Sequence, residues 1–311
     1  MRYDIYFHDD FDGAASAAIM LSFFESRGDT IGRLMPVNFR IKSPWHKTKF
    51  KNPAVVLDYP YHPKVTFWYD HHSTTFLKPE WRKKFRSSKF RKLDPGYDSC
   101  CALVLDALRD GFEFKPSAHF RELVRWGDII DKANYKSPRQ TIDMKEAAIA
   151  LSVFIDENSH KRGFFNWLVP LLATRSLGEI ARTHRFIDGI KRIRSQRHKV
   201  LSFYRKNLRI EGRTSYIDFS RTNLQKMRMA PYYFSPNLLY SVTLKKDGPF
   251  FHLNAGANPW RRKENILHIG NILGKYGGGG HKDVGGVEIR SREAAEKIAR
   301  EIIELLKKKS A

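Results

Sequence analysis

The sequence predicts an α/β protein with a doubly wound, mostly parallel sheet in its N-terminal part, a connecting helix and a smaller C-terminal α+β domain. Three observations predict this. Short β-branched and aromatic runs, at Arg2 to Phe7, Ala54 to Leu57 and Val65 to Trp68, have the length of buried strands and are separated by helical or turn-rich stretches. Each run leads into aspartate, at Asp10 and Asp12, Asp58 and Asp70; in an open parallel sheet the carboxyl ends of the strands share one edge, where ligands bind. After Gly212 the pattern changes to short strand-like runs, Thr214 to Phe219, Tyr240 to Leu244 and Phe250 to Asn254, with a helix expected over Ile266 to Leu273.

The 311 residues exceed one ordinary core, so two domains are expected. The boundaries read as 1–185, a basic helical connector at 186–212, and 213–311. A hydrophobic fraction of 41% suffices for globular folding. The outlying property is charge: 56 Lys and Arg against 33 Asp and Glu leave a formal net charge of +23, a field that concentrates polyanions such as nucleic acid or phosphate esters. No apolar run approaches the roughly 20 residues needed to span a bilayer, and Met1-Arg2-Tyr3-Asp4-Ile5 lacks the apolar block of a signal peptide. The only cysteines, Cys100 and Cys101, are adjacent and make no ordinary staple, which predicts a reducing, cytoplasmic setting without a membrane partner.

In chain order, the first strand runs into His8-Asp9-Asp10-Phe11-Asp12-Gly13, and Ala14 to Ser22 reads as a helix. The acidic cluster therefore occupies a strand-to-helix turn, with Gly13 permitting a tight bend. His8, Asp10 and Asp12 alternate and can aim at one point. Asp12 alone could be an N-cap. Three carboxylates in four residues exceed what a cap needs, and they repel one another unless a cation sits among them. Leu34 to Phe39 reads as a second strand. Asp58 ends the next, and Pro60 and Pro63 forbid a helix directly after it. Val65 to Trp68 leads into Tyr69-Asp70-His71-His72-Ser73, an acid and two imidazoles at a strand end, where partners are needed on leaving water and a metal satisfies all three.

Lys78 to Lys92 mixes basic residues with Trp81, Phe85 and Phe90. It reads equally as a strand-binding surface with stacking aromatics and as a helix burying Trp81 and Phe85. Asp94-Pro95-Gly96 is a turn, after which Asp98 or Ser99 caps a helix through Leu108. A helix is expected over Phe120 to Asp131, where the three-residue spacing lets Asp128 and Asp131 share a face, the alternative being two exposed acids on a surface helix. Helical segments continue from Met144 to Leu172, with Gly163 and Pro170 as breaks, and Leu177 to Arg209 reads as one long helix with a basic face. The run Gly277-Gly278-Gly279-Gly280-His281-Lys282 reads either as a flexible or positive-φ turn or as backbone N–H groups approaching an anion, with His281 and Lys282 as added donors; the histidine favours the anion.

These residues resemble the DHH phosphoesterases that carry the smaller DHH-associated C-terminal domain. His8-x-Asp10-x-Asp12-Gly13 looks like the first motif, Asp58 the second, Asp70-His71-His72 the third, Asp128 the fourth, and Gly278-Gly279-Gly280-His281 the glycine-histidine motif of the associated domain. Many relatives place the first-motif histidine four residues before the first aspartate, where this chain has Tyr6. Many also carry a serine-x-arginine element, where this chain reads Asn258-Pro259-Trp260-Arg261-Arg262. Asp131 is a rival to Asp128 for the fourth motif.

The resemblance implies a manganese-dependent phosphodiesterase with two ions, Mg²⁺ being a possible substitute. His8, Asp10, Asp12, Asp58, His71 and Asp128 are the implied metal ligands. Asp70 and His72 are the implied catalytic pair, one orienting a histidine and the other donating to the phosphate. Gly278, Gly279, Gly280, His281, Lys282 and Arg262 are the implied substrate-binding residues. Short oligonucleotides or single-strand ends are the expected substrates. Pyrophosphate, polyphosphate or cyclic-dinucleotide hydrolysis is the enzymatic alternative, and nucleic-acid binding around a structural metal the non-enzymatic one. Oligomeric state is left open.

Overall fold

A computed structural model describes residues 1–38 and 45–310. Contacts divide the chain into two units: Met1–Asn134 with Met144–Lys191, and Tyr135–Asp143 with the residues from Arg192 onward.

The first unit is built on a five-stranded sheet in the order β2-β1-β3-β4-β5, comprising β1 (Arg2–His8), β2 (Thr30–Val37), β3 (Ala54–Leu57), β4 (Phe67–Asp70) and β5 (Arg91–Leu93). Every pairing is parallel, which makes the expected mostly parallel sheet a wholly parallel one. The chain first steps outward from β1 to β2 and then reverses through β3, β4 and β5. The order therefore switches between β1 and β3, the point at which open α/β sheets form a crevice at their carboxyl ends. Helices α1 (Phe11–Ser26), α2 (Pro79–Lys84), α3 (Cys100–Phe112) and α4 (His119–Asp131) follow in order. α1 is mostly apolar and buried from Phe11 to Leu21, as expected of a helix at the centre of a layer. The opposite face of the sheet is covered by aromatic side chains: Tyr6, Val56 and Trp68 pack with Trp45, Tyr59 and Tyr61, and Trp81 and Phe85 lean on the same cluster.

The strands and helices expected from the sequence are present with shifted ends. The strand expected over Leu34 to Phe39 ends at Val37, and Phe39 lies outside the described residues. Pro170, expected to break a helix, lies inside Phe164–Thr174. Gly163 does mark a break: at φ 75° it caps the start of that helix, five residues after Ala147–Asn158 ends. The long helix expected from Leu177 is split into Leu177–Ile180 and His184–Asn207.

The second unit holds a six-stranded mixed sheet: β6 (Arg209–Glu211), β7 (Thr214–Asp218), β8 (Tyr240–Asp247), β9 (Phe250–Ala257), β10 (Gly279–Gly280) and β11 (Val284–Ile289), in the order β10-β11-β9-β8-β7-β6. Within this sheet only the β7–β8 pairing is parallel among the described strands. The C-terminal helix Arg292–Ser310 lays Ala295, Ala299, Ile302 and Leu306 into a core with Val242, Leu244, Leu253 and Val287. Ile217 and Phe219 pack with Val200 and Tyr204 of helix His184–Asn207. No helix is long and apolar enough to cross a membrane among the described residues.

Candidate metal centre

The carboxyl ends of β1, β3 and β4 bring together residues separated by more than sixty positions in sequence. His8 closes β1 and Asp10 caps α1, its Oδ1 accepting the Gly13 N–H at 3.0 Å and its Oδ2 lying 2.7 Å from His8 Nδ1. The turn is tight enough to require glycine, because a Cβ at Gly13 would stand 2.0 Å from the His8 carbonyl oxygen. Asp12, in the first turn of α1, is buried, and its two oxygens accept the backbone N–H groups of Cys100 (2.6 Å) and Cys101 (2.8 Å) at the start of α3. That helix end contributes partial positive charge.

Asp58 directly follows β3 in a left-handed backbone conformation, φ 54°, while its N–H donates to the Tyr69 carbonyl at 3.0 Å. A non-glycine residue there is uncommon and strained unless its surroundings hold it, and such residues cluster at functional sites. Asp58 is 2% exposed. Its Oδ1 lies 3.6 Å from His71 Nε2 and 3.4 Å from His72 Nδ1, and its Oδ2 lies 3.6 Å from His8 Nδ1.

His71 Nδ1 is 3.1 Å from the Tyr97 carbonyl oxygen. A carbonyl only accepts, so Nδ1 carries the proton and Nε2 presents a lone pair. That lone pair faces Asp58, Asp12 at 3.8 Å and Asp131 at 3.7 Å. Asp70 is fully engaged elsewhere: its Oδ1 accepts from the His72 N–H (3.1 Å) and lies 2.9 Å from His72 Nδ1, and its Oδ2 accepts the Thr75 hydroxyl. Asp70 thus orients His72.

Among the described residues the donor atoms form three overlapping groups, each within 4.8 Å: His8, Asp10 and Asp58; Asp58, His71 and His72; Asp12, His71 and Asp131. Asp58 links the first two and His71 the last two. Asp58 Oδ1 and His71 Nε2 are buried without a hydrogen-bond partner among the described residues. Buried acceptors left unpaired are costly. Carboxylate oxygens and an imidazole lone pair converging on one another fit divalent cations.

Electrostatics agree. Burial, then the Asp12 carboxylate, pushes Asp58 well above the usual carboxylate range. Burial, then Asp10, raises Asp12 to about 6, and burial, then Asp12, raises Asp131 to about 6. Burial opposes the cationic forms of His8 and His72, yet carboxylates overcome it. Asp10 and Asp58 push His8 up to about 11, and Asp70 with Asp58 pushes His72 up to about 9.

Asp128, the expected fourth-motif ligand, is not in these groups. Its Oδ1 accepts the Ser99 hydroxyl at 2.6 Å, while Asp131, one helical turn on, faces His71. Three further contacts could not be read from sequence: the Tyr97 carbonyl, the Thr75 hydroxyl and the two α3 amides on Asp12. Each depends on loops that only the fold brings near.

In the second unit, the glycine run has a packing reason. Cβ atoms at Gly278 and Gly280 would stand 2.3 Å from the Gly286 and Val284 carbonyl oxygens, and Gly280 has φ 142°. Gly279, between them, faces open space. His281 and Lys282 follow, exposed, and their carbonyls accept the Gly270 and Ile269 N–H groups. Asn258 is buried as the cap of the turn before Trp260. Arg262 Nε lies 3.8 Å from Asp283 Oδ2, and Asn265 donates to Asp283 Oδ1 at 2.7 Å. Of the candidates for the serine-x-arginine element, Asn258 is thus occupied by the fold, and Arg262 sits at the surface.

No protein-family profile and no curated protein matches the chain. Solved structures do. The pGpG-specific phosphodiesterase PggH from Vibrio cholerae superposes with a TM-score of 0.75 at 17% identity, over 97% of this chain and 98% of that one. RecJ in complex with Mn²⁺ from Thermus thermophilus gives 0.60 at 13%, over 98% of this chain and 52% of that one, so the chain spans about half of RecJ. An exopolyphosphatase-related protein from Bacteroides fragilis gives 0.56 at 14%, over 98% and 92%. This chain therefore has the fold that its DHH, aspartate and glycine-histidine motifs imply, shared over nearly its whole length with a phosphodiesterase and with a manganese-bound RecJ.

Proposed function

We propose that this protein is a divalent-cation-dependent phosphodiesterase acting on short oligonucleotides or single-strand ends. The observation that carries the reading is Asp58: a buried, backbone-strained carboxylate whose two oxygens face different donor groups, one of them unpaired beside the unpaired Nε2 of His71. His8, Asp10 and Asp58 would hold one ion and Asp12, Asp58, His71 and Asp131 the other, Mn²⁺ or Mg²⁺. When bound, two such ions neutralise phosphate charge and lower the pKa of a bound water.

The chain's own groups do the rest. His72, cationic and oriented by Asp70, donates toward charge that develops on the phosphate. Asp70, itself tied to Thr75, keeps that ring fixed. In this reading residues 1–185 form the metal-binding domain and 213–311 the substrate-binding domain. His281, Lys282 and Arg262 bind the substrate's phosphate or sugar end, with Gly279 as the place where backbone can approach it. His281→Ala is expected to raise KM for a short substrate about tenfold, roughly the worth of one charge-assisted hydrogen bond, with bound Mn²⁺ unchanged. Loss of metal in that variant, measured by elemental analysis, contradicts the assignment.

The basic surfaces bear on substrate length. In Lys78 to Lys92, Trp81 and Phe85 pack against Tyr61, while Arg82, Lys83, Lys84 and Arg86 are exposed. This stretch supplies charge without those two rings for stacking. Helix His184–Asn207 exposes Lys191, Arg192, Arg194, Lys199, Arg205 and Lys206, whereas Arg197 donates to the Thr141 carbonyl. If these cations track a long strand, the logarithm of its affinity falls with log salt by roughly 0.7 per phosphate contact, and a dinucleotide shows a much shallower slope. Replacing Arg82, Lys83, Lys84 and Arg86 together by alanine then flattens the long-strand slope and spares dinucleotide turnover. Equal slopes in the unmodified protein would restrict the enzyme to small substrates.

The packing of Trp81 and Phe85 against Tyr61 favours polyphosphate as a second reading, since polyphosphate has nothing to stack. One panel with Mn²⁺ separates the readings: a 5′-phosphorylated dinucleotide, a labelled single strand, a cyclic dinucleotide and polyphosphate. Turnover of the linear nucleotides is expected. Turnover of polyphosphate alone selects the second reading, and bound metal with no turnover at all makes the centre structural.

A further inference from the structure

Asp128 lies outside the three donor groups of the candidate centre, yet it is joined to them through Ser99. Gly127 and Asp128 of α4 lie against the first turn of α3, so closely that a Cβ at Gly127 would stand 2.4 Å from Cys101 Sγ and 3.4 Å from Ser99 Oγ. Ser99 is the N-cap of α3, with extended backbone, and its hydroxyl accepts the Ala102 N–H at 3.3 Å. Its single proton is therefore available to Asp128, whose Oδ1 is 2.6 Å away. The next two N–H groups of the same turn, those of Cys100 and Cys101, donate to the two oxygens of Asp12. Both Asp12 oxygens are thereby aimed, with lone pairs remaining for a cation.

We propose that Asp128 is a positioning residue: through the Ser99 hydroxyl it fixes the first turn of α3, whose Cys100 and Cys101 amides hold the Asp12 carboxylate in the centre. The inference rests on reading that centre as a cation site. Outer-shell partners of ligating groups are worth roughly 10–100-fold in metal affinity. A carboxylate is used here rather than an apolar contact because the cap hydroxyl, once it accepts Ala102, has one proton left to place, and a buried hydroxyl without an acceptor loosens the turn.

The test is calorimetric titration of the full chain with Mn²⁺ at pH 7.5, with melting temperature followed in parallel. Asp128→Ala and Ser99→Ala are each expected to weaken Mn²⁺ binding roughly 10–100-fold while the number of ions bound stays that of the unmodified protein. The double variant should be no weaker than either single one, because the two residues act as a unit. Asp128→Asn should restore most of the affinity, since its amide oxygen still accepts the Ser99 hydroxyl. Loss of one bound ion in Asp128→Asn would make Asp128 a ligand and overturn the proposal. Wild-type affinity in Ser99→Ala overturns it as well, and this arm stands even if Asp128→Ala fails to fold. Absence of Mn²⁺ binding in the unmodified protein is a separate result: it removes the cation centre itself and the proposed function with it.

Discussion

Asp58→Asn is expected to abolish Mn²⁺-dependent hydrolysis and to leave the metal-free protein folded, with a melting temperature a few degrees higher at pH 8. The two effects have one cause. Asp58 is buried beside Asp12 and Asp10, and burial with those carboxylates holds its carboxyl well above the usual range. A carboxyl held above its usual range costs the metal-free fold stability at pH 8 whether it takes up a proton or keeps its charge, and a neutral amide removes that cost. Asparagine also tolerates the left-handed backbone that Asp58 adopts, which alanine does less well. Each kcal/mol gained corresponds to a rise of about 2–4 °C for a domain of this size. The loss of rate should exceed about 100-fold, the upper cost of removing even an outer-shell partner. His71→Ala should lose activity equally, since its Nε2 joins two of the donor groups. Most of the wild-type rate surviving in either variant would falsify the two-ion assignment.

The second large effect is pH-linked stability and its reversal by metal. Asp12 and Asp131 each titrate near 6 in the folded chain, above the ordinary aspartate value of 3.8. The folded state therefore binds more protons than the unfolded one between about pH 4 and 6, and stability falls as pH rises through that window. His8 and His72, raised from 6.5 to about 11 and about 9, act in the same sense at higher pH: their contribution is present below 6.5 and is lost as pH climbs through the folded values. The metal-free protein is thus expected to melt progressively lower from pH 5 to 8. Mn²⁺ binds the deprotonated ligands and releases protons, so the Mn²⁺-induced rise in melting temperature should be several degrees larger at pH 8 than at pH 5.5. Equal rises at the two pH values would mean that these carboxylates do not bind the ion.

Much of the fold was legible in the sequence because buried parallel strands leave a strong local mark. Ala54 to Leu57 is a continuous apolar run, buried on both faces, and only such a strand explains it. β5 was not legible: Arg91-Lys92-Leu93 carries no apolar pattern and becomes a strand only because β4 offers it an unpaired edge. The consecutive glycines before His281 look alike in sequence, yet Gly278 and Gly280 are demanded by carbonyls across the hairpin and Gly279 is not. A string of identical residues cannot carry that distinction.

The sequence by itself determined that acids and imidazoles follow three of the strands, because a strand-end position is a local property of the chain. His8, Asp10, Asp12, Asp58, His71 and His72 were all named from that pattern and lie in the three donor groups. Which of the two carboxylates in the last turn of α4 faces His71 was decided only by tertiary structure. Asp128 and Asp131 are three residues apart on one helix and equivalent as chemistry. The close approach of Gly127 to the start of α3 gives Asp128 to the Ser99 hydroxyl and turns Asp131 toward His71. Helix packing, set by the absence of one Cβ, makes the choice that composition and spacing leave open.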